Sequence, residues 1–239
     1  MSDAVCLKHV EKGDYAYEEA IKTLRTNIQF CGSNLKTVMF TSSMPDEGKS
    51  KVVMALAVSL ASIGKKVLLV DADIRKSVLI TRHGVRGRIN GLSQYLSGQK
   101  TMEEILYHTN IEGMDIVFAG PYSPNPAELL EENSFKELIR AAREDYDYLL
   151  IDTPPMAGLI DGAIVAGLCD GAVIVIESGA ISRRLVQRVK AQLEKSGCRI
   201  LGVVLNRMDT SRDRYYGKYG KYNSYKRDAY EQYYEKKKE

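Results

Sequence analysis

The residues best suited to chemistry are Gly48, Lys49 and Ser50, which follow one apolar segment and precede another. This tripeptide ends a phosphate-binding loop, in which backbone N–H groups and a helix N-terminus surround a phosphate chain. The lysine of such a loop reaches the β- and γ-phosphates, and the serine hydroxyl binds Mg²⁺. The stretch 38–50 therefore predicts a buried strand, a tight loop (residues 43–50, the phosphate-binding loop below) and a helix that begins near Ser50.

The phosphate-binding loop departs from its consensus at two positions. Ser43 stands where the first glycine is usual, and Asp46 places an acid beside the phosphates. Ser and Asp both form tight turns, and Asp tolerates left-handed backbone better than most residues. We therefore predict a working phosphate site and keep an inactive scaffold with a damaged loop as an alternative.

Two other apolar segments are followed directly by carboxylates. Asp71 and Asp73 come after the segment 67–70, and Asp152 comes after the segment 149–151. Both segments are continuously apolar, as parallel strands covered on both faces are. An acid at the carboxyl end of such a strand binds the Mg²⁺ shell, takes a proton or only caps a turn. Paired with Lys49 and Ser50, Asp152 fits the acid that reaches Mg²⁺ directly or through water.

The elements that must position these residues alternate between strand and helix. The segments 173–176 and 200–205 are two more apolar strands, with a helix predicted over 181–195 between them. This repetition predicts an α/β fold, a P-loop NTPase-type and mostly parallel sheet flanked by helices. Residues 101–108 read as a short helical piece. Asn206 ends the last strand at the ligand edge, where it either contacts the nucleotide base or simply ends the strand.

Composition sets the class of protein. The 239 residues are enough for one large α/β domain, and 44% hydrophobic and 27% charged residues are ordinary for a soluble globular protein. The longest apolar run is too short to cross a bilayer, and the N-terminal residues lack the features of a secretory signal. The four cysteines have neither metal nor disulfide spacing, so we expect reduced thiols in the cytosol.

Residues 15–30 predict an amphipathic helix with one charged stripe. Glu19, Lys22 and Arg25 lie three residues apart and so share a face of that helix. The simpler interpretation is a solvated face with a weak ion pair. The alternative is a surface that contacts a neighbouring subunit.

The end of the chain differs in composition from the rest. From Ser211 onward there are nine Lys or Arg and five acidic residues, a net charge of +4, which leaves −1 on the preceding residues. A nucleic-acid surface on the body is therefore not implied. Ala229 is the only aliphatic residue among the tyrosines, so we predict an ATP-binding domain over 1–209 and a disordered tail over 210–239.

The tail holds eight of the fifteen tyrosines of the chain. One interpretation is an aromatic and basic arm for nucleic acid or membrane. The other is a set of phosphate acceptors, which the scarcity of other hydroxyl groups favours. The candidate acceptors are Tyr215, Tyr216, Tyr219, Tyr222, Tyr225, Tyr230, Tyr233 and Tyr234.

These features together resemble the bacterial tyrosine kinases of capsule and exopolysaccharide synthesis, in the form whose cytosolic kinase is separate from its membrane activator. The matching stretches are 19–28, 45–50, 67–75, 120–130, 149–155, 202–209 and the tail. Such kinases are similar to Min/Par-type partition ATPases, which carry an extra lysine where this chain has Met44. The substitution favours the kinase over a Min/Par-type switch without kinase activity.

The resemblance implies ATP and Mg²⁺ as cofactors and a role for each matching residue. Lys49, Asp71 and Asp73 would be catalytic, with Asp71 as the first choice of base and the reverse assignment open. The metal ligands would be Ser50, Asp73 and Asp152. The residues expected to bind ATP are Ser43, Pro45, Asp46, Glu47, Gly48, Lys49, Ser50, Lys51 and Asn206. Ser77 receives no role.

The resemblance also implies partners. In the family the charged helix motif packs subunits into a ring; Glu19 and Arg25 match it, whereas Lys22 replaces an arginine and loses the bidentate fork. The expected partners are further copies of the chain, a membrane activator of polysaccharide export and a tyrosine phosphatase, with no nucleic acid. The expected location is the cytoplasm, with recruitment to the inner face of the plasma membrane.

Overall fold

An eight-stranded sheet organises the part of the chain that the computed structural model describes, residues 4–10 and 13–208. The strands are β1 (Ala4–Val5), β2 (Thr37–Ser42), β3 (Val67–Asp71), β4 (Leu106–Thr109), β5 (Met114–Val117), β6 (Tyr148–Asp152), β7 (Gly171–Glu177) and β8 (Ile200–Asn206). Their order across the sheet is β1-β4-β5-β3-β6-β2-β7-β8. Only the β4–β5 pair is antiparallel in this sheet, so the predicted, mostly parallel α/β sheet is confirmed.

Helices cover both faces of the sheet. They are α1 (Tyr15–Phe30), α2 (Lys49–Ala61), α3 (Leu79–Arg82), α4 (Leu92–Leu96), α5 (Met102–Ile105), α6 (Pro126–Glu131), α7 (Asn133–Asp145), α8 (Asp161–Ala166) and α9 (Arg183–Lys195). Helices α1 to α3 pack over one face, and α4 to α9 pack over the other. The first compact unit of the chain ends at Asn206. No helix in the described ranges is long and apolar enough to cross a membrane.

The central strands are buried on both sides, which explains their continuous apolar sequence. In β2, Val38 and Phe40 enter the core beneath α1 and α2, whereas Met39 enters the core on the opposite face. Side chains of a strand alternate between the two faces, so a strand covered twice must be apolar at every position. The sheet centre is therefore a rigid platform for the groups at its carboxyl edge.

The helix predicted over 101–108 is wrong in its second half. The helix ends at Ile105, and Leu106–Thr109 form β4, which pairs with β5. Tyr107 is buried there, and its ring centroid lies 5.7 Å from that of Phe118. Its hydroxyl accepts a hydrogen bond from the backbone N–H of Asn90. Tertiary packing of this one aromatic side chain thus overrides the weak local preference.

Parallel pairing gathers the candidate residues at one edge. The strands β2, β3, β6 and β8 all point their carboxyl ends the same way. In the register, Asp152 is the Cα partner of Asp71 on one side and of Phe40 on the other. The two strand-terminal acids and the phosphate-binding loop after β2 therefore meet at the same place, as predicted for open α/β sheets.

Candidate functional site

The loop between β2 and α2 is held from two sides. The Glu47 side chain is buried, and its carboxylate accepts hydrogen bonds from the backbone N–H groups of Met44 (2.6 Å) and Glu177 (3.1 Å). The amide of Asn206 donates to the carbonyl oxygen of Glu47 at 2.9 Å. Glu47 therefore fixes the loop to itself and to β7, and Asn206 ties it to the end of β8.

Two residues of the loop adopt left-handed backbone, Asp46 (φ 64°) and Gly48 (φ 83°). A Cβ atom on residue 48 would lie 2.1 Å from Nδ2 of Asn206, so any other residue would displace that amide as well as strain the left-handed backbone. The tight turn that Asp was expected to tolerate is thus formed at Asp46 itself. Asn206 packs against the loop, a contact that neither interpretation of its sequence position anticipated.

Lys49 and the two strand-terminal acids form a buried ionic cluster. The ammonium group of Lys49 pairs with the carboxylate of Asp152, and both side chains are at least nine-tenths buried. The same ammonium lies 3.4 Å from the hydroxyl oxygen of Ser50. Asp71 is also buried, and its carboxylate accepts a hydrogen bond from the hydroxyl of Ser77. One cation thus serves two neighbouring carboxylates.

This environment changes the acidity of Asp71. Burial raises the pKa of its carboxyl group from 3.8 to about 7, and the negative charge of Asp152 acts in the same direction. The hydrogen bond from Ser77 and the charge of Lys49 oppose the increase in pKa. A carboxylate with a pKa near neutrality can both accept and release a proton at physiological pH.

Asp73 lies beside this cluster and lines the neighbouring cavity. Its backbone N–H donates to the Asp71 carboxylate at 3.2 Å, and its own carboxylate accepts from the backbone N–H of Lys76 at 3.0 Å. The cavity has a volume of about 500 Å³. Three segments line it, which are Ser42 to Ser50, five residues between Asp73 and Arg82, and five residues between Pro154 and Leu159.

The structure also brings Arg75 and Asp161 to the site, a pair that the sequence analysis did not identify. The guanidinium of Arg75 lines the cavity and makes two hydrogen bonds to Asp161, from Nε at 2.8 Å and from Nη2 at 3.0 Å. Asp161 is fully buried at the start of α8. The two residues are 86 positions apart, and the pair fixes the arginine at the cavity wall.

Other predicted residues are placed as follows. Pro45 and Asp46 line the cavity. Ser43 also lines it, and the Ser43 hydroxyl is buried without a hydrogen-bond partner among residues 4–10 and 13–208. Lys51 does not line the cavity, because its ammonium lies over the ring of Tyr17, 5.5 Å from the centroid. The eight tail tyrosines lie outside the described residues.

The charged stripe of α1 divides in two. Lys22 pairs with Glu19 at 2.7 Å, and both side chains are about half exposed. Arg25 instead faces α2, where Nη1 donates to the carbonyl oxygen (2.9 Å) and the hydroxyl oxygen (3.0 Å) of Ser59. Two members of the predicted oligomerisation motif therefore remain at the surface, and the third joins two helices of the same chain.

The donor groups present fit a magnesium-bound nucleotide. In the part of the chain described, no group of three or more His, Cys, Asp or Glu side chains could hold a metal by itself. Mg²⁺ is usually bound by one or two carboxylates together with substrate phosphates. Ser50, Asp73 and Asp152 beside the phosphate-binding loop supply such an incomplete set, and the orphaned hydroxyl of Ser43 offers a further hydrogen bond to a ligand.

Comparison with known proteins places the chain among nucleotide-binding enzymes. The AAA domain family matches residues 36–199. A tyrosine-protein kinase CpsD of Streptococcus agalactiae is 43% identical over 206 residues, which cover 85% of this chain and 90% of that protein. The solved kinase domain of the Escherichia coli tyrosine kinase ETK is 32% identical, with a TM-score of 0.73, over 81% of this chain and 78% of that one.

Partition-type ATPases share the fold at a lower level of similarity. The septum site-determining protein MinD of Pyrococcus horikoshii, complexed with Mg-ADP, is 28% identical with a TM-score of 0.64, over 74% of this chain and 72% of that one. The Min/Par-type alternative is thus less well supported than the kinase, and the predicted P-loop NTPase-type fold class is confirmed. On this evidence the chain belongs to the family of bacterial tyrosine-protein kinases.

Proposed function

We propose that this chain binds ATP with Mg²⁺ in the cavity beside the phosphate-binding loop and transfers the γ-phosphoryl group to tyrosines of its C-terminal tail. The observation that carries the proposal is the buried cluster of Lys49, Asp71 and Asp152, of which Lys49 lines that cavity. It joins a cation for phosphate charge with a carboxyl group suited to deprotonate a phenol. The relatives named tyrosine-protein kinases support the same reaction.

The nucleotide would bind with its phosphates against the backbone of residues 43–50 and its base toward Asn206. Lys49 would then exchange part of its interaction with Asp152 for the β- and γ-phosphates. The freed carboxylate of Asp152, the hydroxyl of Ser50 and Asp73 would hold Mg²⁺. When bound, the metal neutralises charge that develops on the transferring phosphate.

In the transfer step the phenolic oxygen of the acceptor forms a bond to the γ-phosphorus while the bond from that phosphorus to the β,γ-bridging oxygen breaks. ADP leaves with the electron pair of the broken bond. Asp71 accepts the phenolic proton. An ordinary carboxyl group has a pKa far below that of a phenol (~10), whereas the pKa of Asp71 is about 7. The smaller difference in pKa lowers the cost of the proton transfer. Arg75, fixed by Asp161, would hold a cation beside the departing charge.

Incubation with labelled ATP, followed by mapping of the label to residues, tests the proposal. We expect label on tail tyrosines in the wild type and its loss, by at least about a hundredfold, in Lys49→Met. Lys190→Met is the matched control, because Lys190 is exposed on α9 and, within the described residues, pairs only with Glu194. Release of phosphate to water without tail label would support a non-kinase ATP switch instead. Neither label nor phosphate release would indicate an inactive scaffold.

We further propose a setting for this reaction, on the strength of the family to which the chain belongs. The kinase would regulate capsular or exopolysaccharide synthesis and export from the cytoplasmic side of the plasma membrane. A membrane activator would recruit it, other copies of the chain would form a ring with it through Glu19, Lys22 and Arg25, and a tyrosine phosphatase would reverse its product. Recruitment would be supported if the kinase co-purified with an activator protein only when the membrane segment of that activator was intact. Equal kinase activity with and without the activator would contradict recruitment.

A further inference from the structure

One wall of the cavity lies outside the phosphate-binding loop. The phosphate-binding loop forms one side, and the segment from Asp73 to Arg82 forms another. That second wall combines basic and apolar side chains. They are Arg75, Lys76, Val78 and Arg82. Such a surface suits an aromatic ring that is accompanied by negative charge.

The basic side chains on this wall differ in whether they already have an acidic partner. Arg75 is already paired with Asp161, whereas Lys76 and Arg82 are exposed and make no ion pair with any residue that the structure describes. Among the acids that line the cavity, Glu47 is occupied by two backbone N–H groups and Asp73 accepts from Lys76 N–H. Asp46 belongs to the loop side. Two cations on the wall are therefore available to an incoming molecule.

The proposed reaction brings the acceptor close to this wall. Its phenol has to reach Asp71, which ends β3, and the segment that carries Lys76 and Arg82 follows β3 directly in the chain. Asn206 contacts the loop from the other side, at the end of β8. Residues on either side of the acceptor tyrosine will consequently lie near the two cations, where opposite charge stabilises the complex and like charge destabilises it.

We infer that the site selects tyrosines flanked by acidic residues, and that in its own tail Tyr230 and Tyr233 are phosphorylated before the others. This inference depends on the proposed kinase reaction. Tyr230 has Asp228 and Glu231 within two positions, and Tyr233 has Glu231 and Glu235, with no basic residue in either window. Three other tail tyrosines have two basic and no acidic neighbours in the same window. They are Tyr216, Tyr219 and Tyr225.

The test is a time course of tail phosphorylation in the full chain, followed tyrosine by tyrosine by mass spectrometry. We expect initial rates at Tyr230 and Tyr233 at least about fivefold above those at Tyr216, Tyr219 and Tyr225, since two exposed charge pairs are involved. The difference should shrink as salt is raised. In Lys76→Glu/Arg82→Glu the preference should disappear or reverse, whereas Arg184→Glu/Arg188→Glu, on exposed positions of α9, should keep it.

Position along the tail is separated from charge by exchanging the flanks. Asp228→Lys/Glu231→Lys should slow Tyr230, and Lys218→Glu/Lys221→Glu should accelerate Tyr219. These changes leave the cavity intact, so the test stands even where Lys76→Glu/Arg82→Glu fails to fold. Phosphorylation whose order ignores the exchange would overturn this inference and leave the kinase proposal in place. Absence of label on every tail tyrosine would overturn both.

Discussion

At the scale of single residues, the site depends on how three charged groups share a buried space. Asp71 and Asp152 are register partners on adjacent strands, and Lys49 provides one positive charge between them. An uncompensated buried charge is costly, so one carboxylate of such a set retains its proton more strongly than usual. With a pKa of about 7, Asp71 is protonated in about half of the molecules at neutral pH, and the ionised half can accept a proton.

The raised pKa of Asp71 predicts a pH dependence of stability in the nucleotide-free protein. The folded pKa of about 7 lies above the unfolded value of 3.8, so the folded state holds this proton more tightly. The resulting stabilisation is complete below about pH 4 and is lost as the pH rises through 7. Each pKa unit corresponds to about 1.4 kcal/mol, so the loss amounts to several kcal/mol in the free energy of unfolding.

Denaturant unfolding of the wild type and of Asp71→Asn, without nucleotide or Mg²⁺, measures this loss. Asparagine stays neutral at every pH, so the wild type should fall in stability relative to the variant between pH 4 and 7. Above pH 7 the difference should be constant. A stability difference that does not vary over this range would show that the carboxyl group titrates normally.

At the scale of elements, the strand-terminal groups could be predicted and their supports could not. Lys49, Asp71 and Asp152 follow apolar strands, and parallel strands end at a common edge, so the sequence alone places them together. Asp161 reaches the cavity only through Arg75, and Ser77 acts only through Asp71. Such contacts between distant segments leave no periodic pattern for the sequence to reveal.

The same distinction explains the errors within elements. β4 was missed because its four residues are too few to show alternation, and its pairing with β5 depends on the burial of Tyr107. The contact of Arg25 with Ser59 was missed because spacing on α1 shows which side chains share a face but not what that face meets. Long apolar strands were predictable because a strand covered on both faces is apolar at every position.

The contact between α1 and α2 leads to a prediction for Arg25. Replacing it with alanine removes two hydrogen bonds from a charged donor to Ser59, so Arg25→Ala should lower the free energy of unfolding by about 1–2 kcal/mol. Lys22→Ala removes only a half-exposed, solvent-screened ion pair and should lower the stability much less than Arg25→Ala does. Urea unfolding at low protein concentration, where subunit contacts contribute little, distinguishes the two. Equal effects would mean that the α1–α2 contact does not contribute to stability.

At the scale of the whole molecule, the charge of the tail provides a route from catalysis to assembly. The residues from Ser211 onward carry a net charge of +4, and each phosphate adds about −1.5 to −2. Three phosphorylated tyrosines therefore reverse the sign of the tail. An acidic surface that accepts the tail of a neighbouring subunit before phosphorylation would repel it afterwards, so the reaction would limit its own assembly.

We therefore expect phosphorylated protein to form smaller oligomers than unphosphorylated protein at the same concentration and salt. Light scattering after size-exclusion chromatography measures the mass of each form, and the difference should diminish at high ionic strength because it is electrostatic. A variant with all eight tail tyrosines replaced by phenylalanine is the matched control. Incubated with ATP, it cannot gain phosphate on those positions, so its tail keeps its charge and it should retain the larger size. If the phosphorylated and unphosphorylated wild type have the same mass, tail charge does not control assembly.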